Sequence, residues 1–313
     1  MDYNTKIKIG KYESNTRILF PAMLMHKSVN GQLNDEILNH YKKVASHKEV
    51  GIIVIEYGYT SIVGKANPYQ LSLAEDYDKK GYSTLVKEIK KINPNVLLIA
   101  QICHAGYSTS RGTTGFDTIA PSPINEAKEM TKEDINNVEM EFIESTKRVF
   151  DLGFDGVEIH SAHGYLLNEF YSPLTNKRTD EYGGNLNNRI RIHLEIIDSI
   201  RKLYPNKILS IRFGGSDYKE GGSTILDACL ASKMFEEHGV DLIDTSGGIF
   251  GYQLRGVVEP GWFSGMTEEI KKNVSIPVVL TGGITTTLEA EEFLEMKKCD
   301  IVGIGRAIFK VTL

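Results

Sequence analysis

The run Val50-Gly-Ile-Ile-Val-Ile55 is the most apolar stretch of the sequence, and it has the length of one β-strand. Seven other short runs share its pattern, in which apolar residues follow one another instead of alternating with polar ones. Such runs are typical of parallel strands that are covered on both faces. The eight strands that we predict are Ile18–Leu24, Ile52–Tyr57, Leu97–Ile102, Gly156–His160, Ile208–Phe213, Leu242–Ser246, Val278–Thr281 and Ile301–Ile304.

Amphipathic stretches with helical periodicity separate these runs. The clearest extends from Lys132 to Leu152, where Ile135 and Val138 begin an apolar stripe, and Thr131 and Asp134 have the spacing of a capping box. Further helices are predicted at about 33–47, 78–92, 186–203, 224–238, 264–273 and 288–297. Strands that alternate with helices over eight repeats predict an α/β fold, the closed (β/α)8 TIM barrel.

We expect one domain over residues 1–313, since a barrel of this kind needs about 250 residues. Two long loops, Gly106–Ala127 and Gly164–Asn185, follow the third and fourth strands. Both leave the carboxyl ends of strands, where barrel active sites are assembled. The sequence ends soon after the eighth strand, so we expect the last outer helix to be missing.

Composition excludes several functional classes. A net charge of −5 without a basic stripe argues against nucleic-acid partners. No apolar run approaches the ~18 residues of a membrane span, and the N-terminus lacks a signal-peptide pattern. Cys103, Cys229 and Cys299 are too scattered for a disulfide framework or a metal site, so we expect a cytoplasmic protein without a metal.

The segment Val157-Glu-Ile-His-Ser-Ala-His-Gly-Tyr165 ends the fourth strand with three hydrogen-bonding side chains. His160 and His163 could donate N–H groups to a developing oxyanion, and Tyr165 could supply a proton. On spacing alone a purely structural role for these histidines is equally well supported. A metal site is less well supported, because only Glu158 lies close enough in sequence to add a carboxylate ligand.

Glycines follow the seventh and eighth strands, in Val278-Val-Leu-Thr-Gly-Gly-Ile284 and Asp300-Ile-Val-Gly-Ile-Gly-Arg306. In barrels this pair of loops commonly binds phosphate through backbone N–H groups. We predict a phosphate site there, with tight turns as the alternative. Its residues are Gly282, Gly283, Gly305 and Arg306.

Two polar side chains lie inside apolar strands, Gln101 in the third and Arg212 in the fifth. Burial of such groups is costly unless each has a partner. An amide suits the edge of a planar heterocycle, and a cation suits an anionic ring, so we predict ligand contacts for both. The alternative is an internal ion pair of Arg212 with Glu158 or Asp244.

The stretch His160-Ser-Ala-His-Gly-Tyr-Leu-Leu-Asn-Glu-Phe-Tyr-Ser-Pro173 resembles a long motif of the Old Yellow Enzyme family, which continues in Asn176-Lys-Arg-Thr-Asp-Glu-Tyr-Gly-Gly184 and Asn188-Arg189. The branch that it resembles is that of the bacterial NADH:flavin oxidoreductases and 2,4-dienoyl-CoA reductases. The resemblance covers about Asn15 to Arg306. No counterpart of the iron–sulfur domain of the larger reductases is visible.

The resemblance implies a bound FMN that is reduced by NADH or NADPH and passes hydride to the C=C bond of an α,β-unsaturated carbonyl compound. His160 and His163 would hold the substrate oxygen and Tyr165 would give the proton, with Arg178–Arg189 mainly structural. The implied FMN contacts are Phe20, Pro21, Ala22, Met23, Tyr57 (through its backbone), Gln101, Arg212, Gly282, Gly283, Gly305 and Arg306.

Three positions depart from the family pattern. Met23 replaces a Thr or Cys that donates a hydrogen bond near the flavin, which a thioether cannot do. Tyr57 replaces a small residue and narrows the site, and Met25 replaces a substrate-contacting Tyr. The alternatives that stay open are a flavin- or ligand-binding barrel with lost catalysis and, less favoured by the charge, a tRNA-modifying flavin barrel. We also expect a homo-oligomer.

Overall fold

The computed structural model describes residues 2–254 and 256–309, and they form a closed barrel of eight parallel strands. Ile18 pairs with Val302, which joins the first strand to the last and closes the barrel. All eight predicted strands are present, which confirms the predicted (β/α)8 fold. The strands are β1 (Ile18–Phe20), β2 (Val50–Tyr59), β3 (Leu97–Cys103), β4 (Gly156–Ser161), β5 (Ile208–Phe213), β6 (Leu242–Thr245), β7 (Val278–Thr281) and β8 (Ile301–Gly303).

The first strand is shorter than predicted. It ends at Phe20 and not at Leu24. Pro21 follows directly, and proline has no N–H group for the ladder. Residues 21–25 therefore form an irregular segment at the carboxyl end of the barrel.

The seven predicted helices are present at nearly the predicted positions around the barrel. The predicted helix over 186–203 is interrupted at Ile190, where ψ is 1°, and this splits off a single turn at Leu186–Arg189. The capping box of Thr131 and Asp134 is present. The helices are α1 (Asp35–Ser46), α2 (Lys79–Ile92), α3 (Lys132–Asp151), α4 (Arg191–Leu203), α5 (Ile225–Glu237), α6 (Ser264–Asn273) and α7 (Thr287–Glu295).

The segment after β8 forms a 3-10 helix, Arg306–Phe309. Within residues 2–254 and 256–309 no α-helix follows β8, and residues 310–313 lie outside the described part. No helix in the described ranges is long and apolar enough to cross a membrane.

Two apolar cores hold the barrel together. The larger lies between strands and helices, and the smaller fills the amino end of the barrel interior with side chains such as Leu19, Ile52 and Ile99. An antiparallel hairpin, Ile7–Ile9 with Tyr12–Ser14, places Ile9 in the smaller core. This end of the barrel is therefore closed, and the carboxyl end is left for chemistry.

Buried arginines hold the long loops after β3 and β4. Arg178 donates to the carbonyl oxygens of Pro121 (2.9 Å) and Met130 (2.7 Å). Arg189 donates to the carbonyl oxygens of Tyr171 (2.8 Å) and Gly184 (2.7 Å). These contacts are structural, as expected for this segment.

Candidate active site

Three aromatic side chains meet where β4 ends and its loop begins. The ring centroid of His160 lies 5.0 Å from that of His163 and 5.0 Å from that of Tyr165. His163 adopts a φ of 62°, in the left-handed region that non-glycine residues rarely enter. Such strain is typical of functional sites, because the surrounding structure has to maintain it.

The hydrogen bonds of the two imidazoles differ. Nδ1 of His160 accepts from the backbone N–H of Ala162 at 3.2 Å, so in the neutral ring the proton lies on Nε2. Nε2 of His163 lies 2.7 Å from Oγ of Ser246. Burial, reinforced by the positive charge of Arg212, holds the pKa of both histidines well below the usual value. Neutral His160 can therefore donate from Nε2 to an oxyanion without adding a charge.

Tyr165 supplies the acidic hydroxyl of this cluster. Its oxygen lies 3.1 Å from the hydroxyl of Tyr57. Burial raises the pKa of Tyr165 to about 12. The phenol thus keeps its proton at neutral pH and can give it to a strong base such as a carbanion.

A second polar group lies inside the barrel below this cluster. Nε2 of Gln101 donates to Oε1 of Glu158 at 2.8 Å, and Oγ of Ser210 donates to Oε2 at 2.8 Å. Oε1 of Gln101 is buried without a partner in the described residues. Burial raises the pKa of Glu158 to about 7.

Arg212 lies beside this group with its head towards the barrel mouth. Nη1 donates to the carbonyl oxygen of Ala22 at 3.0 Å, and Nε lies 3.4 Å from Oδ2 of Asp244. Oδ1 of Asp244 accepts from Oγ1 of Thr281 at 2.8 Å. The ion pair with Asp244, considered as an alternative from the sequence, is thus present. This ion pair engages only one edge of the Arg212 guanidinium.

The glycine loops after β7 and β8 lie on the same face of the barrel. Gly283 has a φ of 72°, and a Cβ there would lie 2.8 Å from the indole of Trp262. A Cβ on Gly305 would lie 2.7 Å from Sδ of Met23. Arg306 is exposed and forms no hydrogen bond or ion pair within the ranges that the structure describes. The first loop therefore needs glycine at Gly283, whereas a Cβ on Gly305 would require the flexible side chain of Met23 to move, and the cation of Arg306 lies beside both loops.

Two cavities of equal size open at opposite ends of the barrel. One, of 340 Å³, lies at the carboxyl end between the loops after β5 and β6, against Phe250 and Phe263. The other, also 340 Å³, lies at the amino end against Lys11 and Arg201. Within the described part of the chain, neither cavity is lined by the predicted site residues, so we assign the chemistry to the carboxyl end because those residues lie towards or after the carboxyl ends of the strands.

Comparison with known proteins identifies the family. Residues 5–310 match the NADH:flavin oxidoreductase / NADH oxidase family. The chain belongs to this family. Membership confirms the predicted class, an oxidoreductase with FMN as its cofactor and NADH or NADPH as its reductant.

The family members that resemble the chain differ in length. The NADH oxidase of Thermoanaerobacter brockii is 33% identical over 96% of this chain, which spans 48% of that protein. An NADPH dehydrogenase of Clostridium acetobutylicum is 33% identical over 94% of this chain and 87% of its own length. A solved 2-naphthoyl-CoA reductase complex superposes with a TM-score of 0.90 at 27% identity, covering 97% of this chain and 50% of that one. The chain thus spans about half the length of the larger relatives.

The predicted flavin contacts of this family member fit the group chemically. FMN has a planar ring with a donor and acceptor edge, and a phosphate at the end of a flexible chain. The unpartnered Oε1 of Gln101 suits the edge, and the partly engaged head of Arg212 suits an electron-rich ring. The two glycine loops and Arg306 suit the phosphate.

Several residues of the site were missed from the sequence. Glu56 is buried between apolar neighbours, with Oε2 accepting from the N–H of Met25 at 2.8 Å, and burial raises its pKa to about 7. A carboxylate inside an apolar strand was a usable signal, of the kind that identified Gln101 and Arg212. Ser246 and Asn67, which contact His163 and Tyr57, carry no comparable signal.

Proposed function

We propose that this family member is an ene-reductase that reduces the C=C bond of α,β-unsaturated carbonyl compounds at the carboxyl end of the barrel. The observation that carries the proposal is the grouping of His160, His163 and Tyr165 within ring distances of 5.0 Å. Two neutral imidazoles and a protonated phenol match the needs of conjugate reduction, in which charge grows on oxygen and a proton is added at carbon.

We assign the flavin contacts as the sequence predicted them. Gln101 and Arg212 would hold the ring, with the segment Phe20–Met23 and the backbone of Tyr57 beside it. Gly282, Gly283, Gly305 and Arg306 would hold the phosphate. When bound, FMN supplies the hydride that it receives from NADH or NADPH.

The histidines act on the substrate oxygen. The Nε2 proton of His160 points away from Ala162, whose N–H already occupies Nδ1. A donor that is neutral and already oriented stabilises the developing oxyanion more than the neutral carbonyl, so it lowers the barrier and not just the KM. Met25 and Tyr57 would line the substrate side and restrict its shape.

Tyr165 acts on carbon. Because its pKa is about 12, the phenol is protonated at working pH yet is more acidic than the C–H bond that forms. Proton transfer from Tyr165 thus completes the reduction.

Anaerobic stopped-flow spectroscopy of the purified protein tests this function. We expect a yellow protein whose absorbance is bleached by NADH or NADPH and restored by 2-cyclohexen-1-one. A yellow protein that neither nicotinamide bleaches would favour the ligand-binding alternative. A protein that stays colourless with added FMN would contradict the flavin sites. The cytoplasmic location and the homo-oligomeric state stay predictions.

A further inference from the structure

Tyr57 lies at an irregularity of β2. Ile55 pairs with Ala100, and Gly58 pairs with Ile102, so β2 holds one residue more than β3 over this stretch. Ile53 and Ile55 pack in the outer core, and strict alternation would send Tyr57 outwards with them. Such a bulge changes the direction in which side chains point, and here the side chain of Tyr57 points towards the active site.

The ring of Tyr57 is part of the aromatic cluster. Its centroid lies 5.7 Å from that of Tyr165 and 5.9 Å from that of His160. The two phenol oxygens are 3.1 Å apart, a distance at which either could be the donor. The direction of this bond decides whether Tyr165 has a free proton.

The loop after β2 decides that direction. Oδ1 of Asn67 accepts from the N–H of Tyr69 at 2.9 Å, which places the amide group Nδ2 towards Tyr57. Nδ2 lies 3.3 Å from the hydroxyl of Tyr57, and it can only donate. Gln70 holds the loop by accepting from the N–H of Ala66 at 2.6 Å.

Each hydroxyl of this chain of bonds then has one role. The oxygen of Tyr57 accepts from Asn67, so the proton of Tyr57 is directed at the oxygen of Tyr165. The oxygen of Tyr165 is then an acceptor, and its own proton is free. A donated hydrogen bond also stabilises a phenolate, which makes Tyr165 a stronger acid.

We propose that Tyr57 and Asn67 are positioning residues that orient and acidify Tyr165 for proton transfer to the substrate. The inference rests on the proposed function, because it assigns a task to Tyr165 as proton donor. In this arrangement the hydrogen bonds run in one direction, with Asn67 donating to Tyr57 and Tyr57 donating to Tyr165. We call it the amide–phenol chain.

Tyr57→Phe tests the chain, since it keeps the ring and removes the hydroxyl. The variant, loaded with FMN, is reduced anaerobically and mixed with 2-cyclohexen-1-one. We expect the enone step to slow about fivefold, within the range that loss of one hydrogen bond produces, and its solvent isotope effect to rise. Reduction by NADH or NADPH, which takes no proton from Tyr165, should change much less than the enone step. Reoxidation by ferricyanide, which needs electrons but no proton from Tyr165, stays unchanged.

Asn67→Asp reverses the chain without changing its shape. A carboxylate accepts the proton of Tyr57, so Tyr57 must accept from Tyr165. We expect slowing at least as large as in Tyr57→Phe. The double variant should be no slower than Tyr57→Phe, because both changes break one chain.

Tyr59→Phe is the matched control, two residues further along β2. Its hydroxyl donates to Asp76 at 3.0 Å and not to the site. We expect unchanged rates per bound flavin.

The outcomes separate the chain from the function. A normal enone step in both Tyr57→Phe and Asn67→Asp, with Tyr165→Phe slow, overturns the chain and leaves the function intact. Equal slowing by enone and by ferricyanide shows a packing role and also overturns it. A normal enone step in Tyr165→Phe overturns the acid role of Tyr165 and the chain with it, whereas an unaltered protein whose reduced flavin is not reoxidised by the enone overturns the proposed function itself.

Discussion

The loop after β4 and the glycine loops after β7 and β8 lie at the same end of the barrel but are built differently. The first presents side chains, and His160, His163 and Tyr165 meet there through their rings. The glycine loops present backbone, and a Cβ would meet Trp262 at Gly283 and the side chain of Met23 at Gly305. Side chains can be exchanged one atom at a time, whereas backbone donors change only when the chain moves. The β4 loop should therefore control the chemistry, and the glycine loops should control retention of the cofactor.

The largest expected effect is that of Tyr165→Phe. Loss of a general acid typically costs about 10²–10⁴-fold, so we expect the enone step to slow by that factor. The rate of reduction by NADH or NADPH and the FMN content should stay normal. Stopped-flow measurement of both half-reactions checks this. An equal loss in both half-reactions would contradict the assignment of proton transfer to the β4 loop.

The second-largest effect should be that of His160→Ala. Loss of one oxyanion donor costs about 10²–10³-fold, and we expect that loss in the enone step together with weaker binding of phenols, which imitate the anionic oxygen. His163→Ala should cost less, because Nε2 of His163 is already 2.7 Å from Ser246. Titration with p-hydroxybenzaldehyde, followed by flavin absorbance, measures the binding. Unchanged phenol affinity in His160→Ala would contradict its role as donor.

Gly283→Ala should have a smaller effect, and it should change FMN binding instead of the enone step. A φ of 72° costs an L-residue about 1–2 kcal/mol, and the new Cβ would press on Trp262. We expect FMN affinity to fall about tenfold, while the enone rate per bound FMN stays constant. Fluorescence titration of the FMN-free protein gives the affinity. Gly184→Ala is the control, because its φ of 83° is similar but nothing lies within 4 Å of its Cβ.

The smallest effect concerns Glu158, which lies inside the barrel below the β4 loop. Burial raises its pKa to about 7, above the ordinary value of about 4.3. Its contribution to stability is complete below about 4.3 and is lost as pH rises to about 7, because the unfolded chain ionises first. Glu158→Gln cannot ionise, so urea unfolding should show a smaller fall in stability from pH 5 to 7, by on the order of 1 kcal/mol. Identical pH dependence in both proteins would show that another group carries it.

The barrel could be predicted because each strand is a continuous apolar run that carries its own signal, as in Val278–Thr281. Pro21 shows the limit. The apolar residues continue to Leu24, but the missing N–H ends the pairing at Phe20. His160, His163 and Tyr165 could be predicted as a group because they lie within six residues of one another.

Long-range contacts could not be predicted in the same way. The bulge in β2 depends on pairing with β3 and leaves no mark in the local pattern, so the direction of Tyr57 was not foreseeable. Asn67 is a common loop residue, and its partner becomes visible only when the loop folds back. The family pattern indicated that Tyr57 narrows the site but not that its hydroxyl reaches Tyr165.

The hairpin that places Ile9 in the barrel also limits the end from which reactants can reach the site. Because the amino end is blocked, a nicotinamide and an enone would both have to enter from the carboxyl end and bind there one after the other. Alternating use of one site predicts parallel double-reciprocal plots while both reactants are at low concentration. At high concentration each reactant should compete with the other and slow turnover, and the plots should then no longer be parallel.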